Sequence, residues 1–296
     1  MKFEFMKNNV HKFSIEKMAI VLGVSRSGYY EYMSRKPGKR ELENQILQRE
    51  IEKVHQKSRC AYGSPRIHVE IKKKGYSCSR KRVAKLMKQA AIQAKMRKKW
   101  KGSHEKREQP AVIAPNHLAQ NFIVEEPNKV WASDITYVAT QEGWLYVAVV
   151  MDLFSRKIIG LSLGTSLKTE LVIQAIQQAL LRRTPVKGVM HHSDRGCQYT
   201  SKEFKEMAIR HGIQLSMSAK GHCYDNAVVE SFFHTLKTEE THLSSYKMRE
   251  EAKLSIFEYI EGFYNRQRLH STLGYQSPEE FEKIWEASRS EEVVLA

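Results

Sequence analysis

The sequence predicts an α/β chain in which a mixed sheet flanked by helices follows a helical, strongly basic amino-terminal region. Apolar periodicity is helical from residue 14 to about residue 92 and switches to strands from Asn128. Three strand-like runs joined by short turns then give way to alternating helices and strands, the pattern of a mixed sheet. The charge is segregated as well: residues 1–110 carry 29 basic and 10 acidic side chains, net +19, while residues 111–296 carry 20 and 23, net −3. That asymmetry points to a polyanion, most simply nucleic acid, because neutralised phosphates release condensed counterions.

In residues 14–33 an apolar helix through Ile15, Met18, Ala19 and Leu22 breaks at Gly23, and Ser25 caps a second helix. The spacing suits a helix-turn-helix and equally a plain helical hairpin. SRKPGKR (34–40) reads as a linker closing a segment of residues 1–40. Residues 41–100 form a second helical unit. Leu42, Ile46, Ile51 and Val54 recur at roughly helical spacing, and Ser64-Pro65 offers an N-cap and a first-turn proline to a helix ending at Gly75. Ser79 caps SRKRVAKLMKQAAI, whose apolar face is Val83, Leu86, Met87 and Ala90. From Ile71 through His104 there are thirteen Lys or Arg and no Asp or Glu. A solvated face normally mixes signs, so this region is expected to grip DNA backbone, with Arg66, Arg80, Lys81, Arg82 and Lys85 as candidates.

Residues 101–124 read as a linker and 125–285 as the core. Its strands are VWASDITYV, GWLYVAVVMD and RKIIGLSL, followed by a helix over 168–183 and a strand over 186–192. A helix at about 201–211 and a strand near 213–217 precede a helix starting near Asp225 or Asn226, where an Asx residue is a natural N-cap. Residues 250–264 are helical, with Leu254, Phe257, Ile260, Phe263 and Tyr264 on or near one face. Arg266, Arg268 and His270 could grip phosphate beside Tyr264 and Tyr275, or equally pack the tail on the core. Ser277-Pro278-Glu279-Glu280 combines N-cap, first-turn proline and capping box, opening a last helix before a tail at 286–296.

Three carboxylates stand out. Asp134 lies in VWASDITYV, Asp194 just past a strand in HHSDRG, and Glu230 in a helix, with thirty-five residues between the last two. A lone Asp in a strand is more often an edge or turn residue than a ligand. Three carboxylates from three elements, set among apolar or turn-forming neighbours, are instead a donor set for hard divalent cations such as magnesium or manganese. Two such ions about 3.5–4 Å apart can activate a hydroxyl and stabilise a leaving oxygen in phosphoryl displacement. His191 and His192 are read as neighbours of this site, since imidazole favours softer metals. Asn226, Glu230, His234 and Lys237 share one helix face, and Lys237 and Lys220 join the candidate DNA contacts.

EEPNKVWASDITYV, HHSDRGCQYTS, KGHCYDNAVVESFFHTLKTE and YNRQRLHSTLGYQSPEEF occur in order over nearly the whole chain. In these stretches it resembles the insertion-sequence transposases with a retroviral-integrase type of core, specifically the second-frame (OrfB) proteins of the IS-three family. The resemblance implies an RNase H-like core behind a helix-turn-helix-like DNA-binding region. It also implies two Mg2+ ions, replaceable by Mn2+, on Asp134, Asp194 and Glu230. The expected activity is nicking of DNA at insertion-sequence ends and attack of the freed 3′ hydroxyl on another phosphodiester. Expected partners are the terminal inverted repeats and target DNA, further copies of the chain assembled on DNA, and the upstream-frame (OrfA) product. Cys197 stands where such proteins usually have Ser, and Ser133 where Thr often precedes the first Asp; neither change removes a ligand. A nuclease of the same fold and a non-catalytic DNA-binding regulator are the competing readings.

Cys60, Cys78, Cys197 and Cys223 form no CxxC, so neither a disulfide framework nor a zinc site is indicated, including the His/Cys module of retroviral integrases. Apolar runs such as LYVAVVM are too short to cross a bilayer, and no signal-peptide core opens the chain. The expectation is a reducing bacterial cytoplasm, in association with the nucleoid.

Overall fold

The computed structural model describes residues 1–36, 38–95, 114–119, 121–183, 188–218 and 226–295. They divide into two compact units, Met1–Glu52 and Lys53–Ala296. In the first, α1 (Lys2–Asn9), α2 (Ile15–Leu22) and α3 (Arg26–Ser34) bury Met6, Met18, Ala19 and Tyr29 together. Ser14 and Ser25 cap α2 and α3 through the amides of Lys17 and Gly28. Gly23 ends α2 at φ +60°, a left-handed turn that glycine adopts without strain.

α4 (Lys39–Lys57) crosses the boundary between the units. Its buried apolar side chains are Leu47, Ile51 and Val54; Leu42 and Ile46, expected on the same face, are exposed. α5 (Ser64–Lys73) is N-capped by Gly63, so Ser64 is the first helical residue rather than the cap. α6 (Arg80–Gln89) is capped by Ser79 and buries Val83, Leu86 and Met87.

The sheet contains β1 (Val130–Thr140), β2 (Gly143–Asp152), β3 (Ile158–Gly164), β4 (Met190–Ser193) and β5 (Gln214–Met217) in the order β3-β2-β1-β4-β5. The first three strands form the antiparallel meander expected from their short turns, and β4 and β5 join parallel beside β1. The parallel joins need crossovers: α7 (Thr169–Arg182) carries the chain from β3 to β4, then α8 (Cys197–Thr200) and α9 (Lys202–Arg210) carry it to β5. This is the RNase H-like arrangement. One core lies where α7, α8 and α9 cover the sheet, built from Trp131, Ala148, Val150, Ile159, Leu171 and Ala175 with their neighbours.

α10 (Ala227–Glu239) follows, then α11 (Arg249–Phe257), which continues as a π-helical segment, Glu258–Tyr264, and finally α12 (Pro278–Leu295). On a 3.6-residue period the buried set lies on the opposite side of the helix from Leu254 and Phe257. Ile256, Tyr259, Ile260, Phe263 and Tyr264 are buried, whereas Leu254 and Phe257, expected on that face, are exposed. Ser277 and Glu280 form the expected capping box of α12. Among the described residues no helix is long and apolar enough to cross a membrane.

α7 lies so close to β3 that a Cβ on Gly160 would stand 2.1 Å from the Ala175 carbonyl oxygen. A backbone atom cannot give way as a flexible side chain does. Gly160→Ala is therefore expected to lower stability by about 3 kcal/mol, the upper end of overpacking penalties, in a urea titration; an unchanged midpoint would contradict this packing.

Candidate active site

The site begins with a register. β1 and β4 run parallel with Trp131 opposite His191 and Ala132 opposite His192, so the same offset sets Asp134 level with Asp194 as the strands end their pairing. Both side chains are partly exposed while the residues before them, Ser133 and Ser193, are buried. Asp134 Oδ1 accepts from the Ile135 amide at 2.8 Å, and Asp194 Oδ1 accepts from the Gly196 amide at 2.9 Å. The second bond is an Asx turn that swings the chain away from β4. Position 196 must be small, because a Cβ there would meet Asp194 Oδ1 at 2.9 Å.

Beneath the carboxylates lies a buried polar layer. His191 Nε2 pairs with Ser133 Oγ at 2.7 Å, and His192 lies between Ser216 Oγ at 2.9 Å and Ser218 Oγ at 3.2 Å. Burial, with His192 adding to it, pushes His191 down to about 3, so its imidazole is neutral. These histidines support the strands from below, as neighbours rather than donors at the surface. Tyr199 is buried, and its phenol is raised first by burial and then by the charges of Asp134 and Asp194. Both carboxylates are thus close enough to act on one hydroxyl group.

α10 brings the third carboxylate. Val229, Phe232, Phe233 and Leu236 are buried, and Glu230 stands exposed in the first turn, where the helix dipole favours an anion. Asn226 occupies the N-cap position, but its side chain does not cap. Its Nδ2 donates to the Ser133 carbonyl at 3.1 Å, fastening α10 to the strand residue next to Asp134. Glu230 lies one turn further along. Lys237, two turns beyond Glu230, places Nζ 5.2 Å from the centre of the Tyr137 ring, and Tyr137 packs edge-on against Trp144 at 4.9 Å; both rings are exposed. Among the described residues no three His, Cys, Asp or Glu side chains are gathered closely enough to hold an ion. The donors nevertheless fit a hard divalent cation. Two like charges set level on adjacent strands, in reach of solvent and with oxygen donors alone at the surface, are relieved by a cation between them.

At the far end α10 is held by a buried pair. Arg268 is 5% exposed and Glu239 is 6% exposed. The guanidinium donates to Glu239 through Nε at 2.9 Å and Nη2 at 2.7 Å, and Tyr259 donates to the same carboxylate at 2.7 Å. Burial would lower the Arg268 pKa, but the Glu239 carboxylate outweighs it and the group is held above its ordinary value. Of the two roles left open for Arg268, phosphate contact and packing on the core, the buried pair with Glu239 favours packing. Arg59 pairs with Glu240 at 2.9 Å, Lys95 donates to the Glu239 carbonyl at 2.7 Å, and Leu269 donates to the Tyr62 hydroxyl at 2.8 Å. These bonds tie the helical region preceding the sheet to the end of α10, and charge patterning in the sequence carried no sign of them.

The other expected DNA contacts divide by exposure. Arg80, Lys81 and Lys85 are exposed on the face of α6 opposite its buried residues, with Arg82 half-buried at its edge. Arg66 is half-buried, its Nε tied to the Leu269 carbonyl at 2.8 Å. Arg266 is exposed, 3.7 Å from Glu279. Lys220 lies outside the described residues.

The chain matches the family description Integrase core domain over residues 124–223, and a second description of that name over residues 211–278. Residues 41–100 match the HTH-like domain. The chain is 41% identical over 284 residues to transposase InsF for insertion sequence IS3A of Escherichia coli K12, covering 95% of this chain and 98% of that one. It is also 41% identical over 264 residues to the insertion element IS600 uncharacterized 31 kDa protein of Shigella sonnei, covering 89% and 97%. Among solved structures it is similar to the HTLV-2 integrase catalytic core domain in complex with magnesium, with 18% identity over 53% of this chain and 97% of that one and a TM-score of 0.41.

Removing one partner of the buried pair leaves an uncompensated charge. Glu239→Gln is expected to lower unfolding free energy by about 3–5 kcal/mol in a denaturant titration. A loss below about 1 kcal/mol would mean that Arg268 finds relief elsewhere and that the pair does not hold α10.

Proposed function

The chain belongs to the integrase-core transposases of IS3-type insertion sequences, and from that premise we propose that Asp134, Asp194 and Glu230 carry its chemistry. Its function is DNA transposition, a polynucleotidyl transfer in which a phosphodiester is cut and the freed 3′ hydroxyl attacks another. The single observation that supports the assignment best is the level register of Asp134 and Asp194 on adjacent parallel strands, with α10 fastened beside them through Asn226.

The three carboxylates are the groups that would hold divalent metal, magnesium by their hardness and manganese as its substitute. When bound, the metal supplies Lewis-acid polarisation of the phosphate and of the attacking hydroxyl. The chain's own residues do the rest. Asp134 and Asp194 would fix where the metal sits at the strand ends, and the Gly196 amide holds the Asp194 carboxylate in place for it. Glu230 closes the site from α10, its approach set by the bond from Asn226 to the Ser133 carbonyl. Lys237, farther along α10, lies where the DNA strand leaving the site meets a positive charge and the exposed rings of Tyr137 and Trp144. The exposed cations of α6 contribute backbone affinity. The DNA engaged is the terminal inverted repeats and the target. Joining two ends calls for more than one copy of the chain on DNA, with the upstream-frame product as a further partner.

Strand transfer of a labelled insertion-sequence end with magnesium tests the assignment. Asp134→Asn, Asp194→Asn and Glu230→Gln are each expected to reduce joined product by roughly a thousandfold, the scale of metal-assisted charge stabilisation, while DNA affinity without metal stays within about threefold. Substantial joining by Glu230→Gln would remove that residue from the site, and cleavage without joining by the unaltered chain would make it a nuclease. The role of α6 is tested separately. Replacing Arg80, Lys81 and Lys85 by Gln should lower the slope of log affinity against log salt by about 2–3, without altering preference among DNA sequences. An unchanged slope would place the backbone contacts elsewhere.

A further inference from the structure

Beside the catalytic face of α10 lies a cavity of about 320 Å³ that the carboxylates do not use. Ser231 and Thr235 line it from α10, Arg66 from α5, Arg156 from the turn between β2 and β3, and Arg268 and His270 from the segment after the π helix. Among the described residues no Asp or Glu lines it. Arg268 is ion-paired with Glu239, whereas the guanidiniums of Arg66 and Arg156 donate to backbone carbonyls.

Both guanidiniums are fixed in place. Arg66 donates through Nε to the Leu269 carbonyl at 2.8 Å and lies over the Tyr62 ring. Arg156 donates through Nη2 to the Phe122 carbonyl at 3.1 Å. Its Nη1 is buried and has no hydrogen-bond partner among the described residues. A buried donor left unpaired is costly in a folded protein unless a ligand completes it. The walls include Phe232 and Tyr264, so charges act there through a drier medium than bulk water. Burial lowers the pKa of both Arg66 and Arg156 and outweighs the opposing charges of Glu239 on the first and Asp152 on the second. Burial and the charges of Arg268, Arg66 and Arg156 all push His270 down, which keeps the imidazole neutral and sets the three guanidiniums within reach of one ring.

We propose that this cavity is a phosphate-binding site, with Arg66 and Arg156 as its cationic ligands and the hydroxyls of Ser231 and Thr235 at its edge. Two planar forks with unspent N–H groups suit phosphate oxygens, and the formal charge matches a phosphate group. Resting on the assignment of Glu230 to the catalytic site, the location suits a backbone phosphate near the one being cut. Ser231 follows Glu230 directly, so the two face neighbouring sides of one helical turn about 100° apart.

The test is DNA binding by the full chain, measured by fluorescence anisotropy in EDTA so that no chemistry enters. The probe is a duplex insertion-sequence end carrying one uncharged methylphosphonate, scanned along each strand. One position is expected to weaken the unaltered chain about tenfold while leaving Arg156→Gln and Ser231→Glu unaffected, and Arg156→Gln should reduce the salt slope by about 1. A second arm follows inorganic phosphate by 31P NMR. Binding of phosphate that both variants abolish, with no special position in the scan, supports the same site with free phosphate as its source. If no position in the scan is special and inorganic phosphate binds no better to the unaltered chain than to the variants, the proposal is overturned. Thermal melting identifies a variant that fails to fold; Ser231 is exposed, so Ser231→Glu keeps the test open if Arg156→Gln unfolds. The catalytic assignment is read from strand transfer with magnesium and the phosphate site from binding in EDTA, so the failure of either is told apart from the failure of the other.

Discussion

The geometry of the site depends on α10 being fastened at both ends, and the stronger of the two fastenings is the buried Glu239–Arg268 pair. Two charges that are 6% and 5% exposed have lost most of their hydration, a loss tolerable only when the geometry returns it. Here it does, through the paired guanidinium bonds and the Tyr259 hydroxyl on one carboxylate. The pair joins α10 to the segment after the π helix, and that segment carries Leu269, which accepts from Arg66 and donates to Tyr62. α5 and the carboxyl end of α10 are therefore parts of one hydrogen-bonded body, which ties the end of the catalytic helix to the basic helical region.

At the amino end a different logic operates. Asn226 stands at the N-cap but directs its amide to the Ser133 carbonyl, so local capping yields to a long-range bond. The carboxylates themselves are left partly exposed above a dry layer of neutral His191, serine hydroxyls and Tyr199. That layer cannot answer their charge with a cation of its own. Two carboxylates set level on adjacent strands repel each other, and a divalent cation between them would relieve that repulsion.

Much of this was legible in the sequence, for identifiable reasons. Asp194 could be placed because a short apolar run ending in SDRG has one sensible reading, a buried strand followed by a turn. The meander followed from the spacing of three β-rich runs. The misreadings have physical causes as well. Leu254 and Phe257 were grouped with Ile260 by a three-residue spacing that drifts around the helix, whereas Ala252, Ile256, Ile260 and Phe263 hold one face. Leu42 and Ile46 fit a helical period, but the face α4 buries runs through Leu47, Ile51 and Val54. For Arg268 phosphate contact and packing on the core stayed open because sequence reports charge and not burial; its partner Glu239 lies 29 positions away. The Tyr62, Arg66 and Lys95 bonds are similarly long-range, and no local pattern encodes them.

Arginine and lysine also divide by task. The cations exposed on α6 include Lys81, Lys85 and Lys88, compact charges on flexible stems that suit contacts with a moving DNA backbone. The cations tied between elements of the second unit are largely arginines: Arg59 on Glu240, Arg66 on Leu269, Arg156 on Phe122, Arg183 on Glu282 and Arg268 on Glu239. A planar fork retains its charge when desolvated and can hold one partner while leaving N–H groups for another. Lysine in the same places would surrender its proton or its geometry. The net charge of the chain thus overstates the surface open to DNA, because some of its arginines act as framework. Exposed lysines on α6 and arginines tied between elements are thus two different sets of cations.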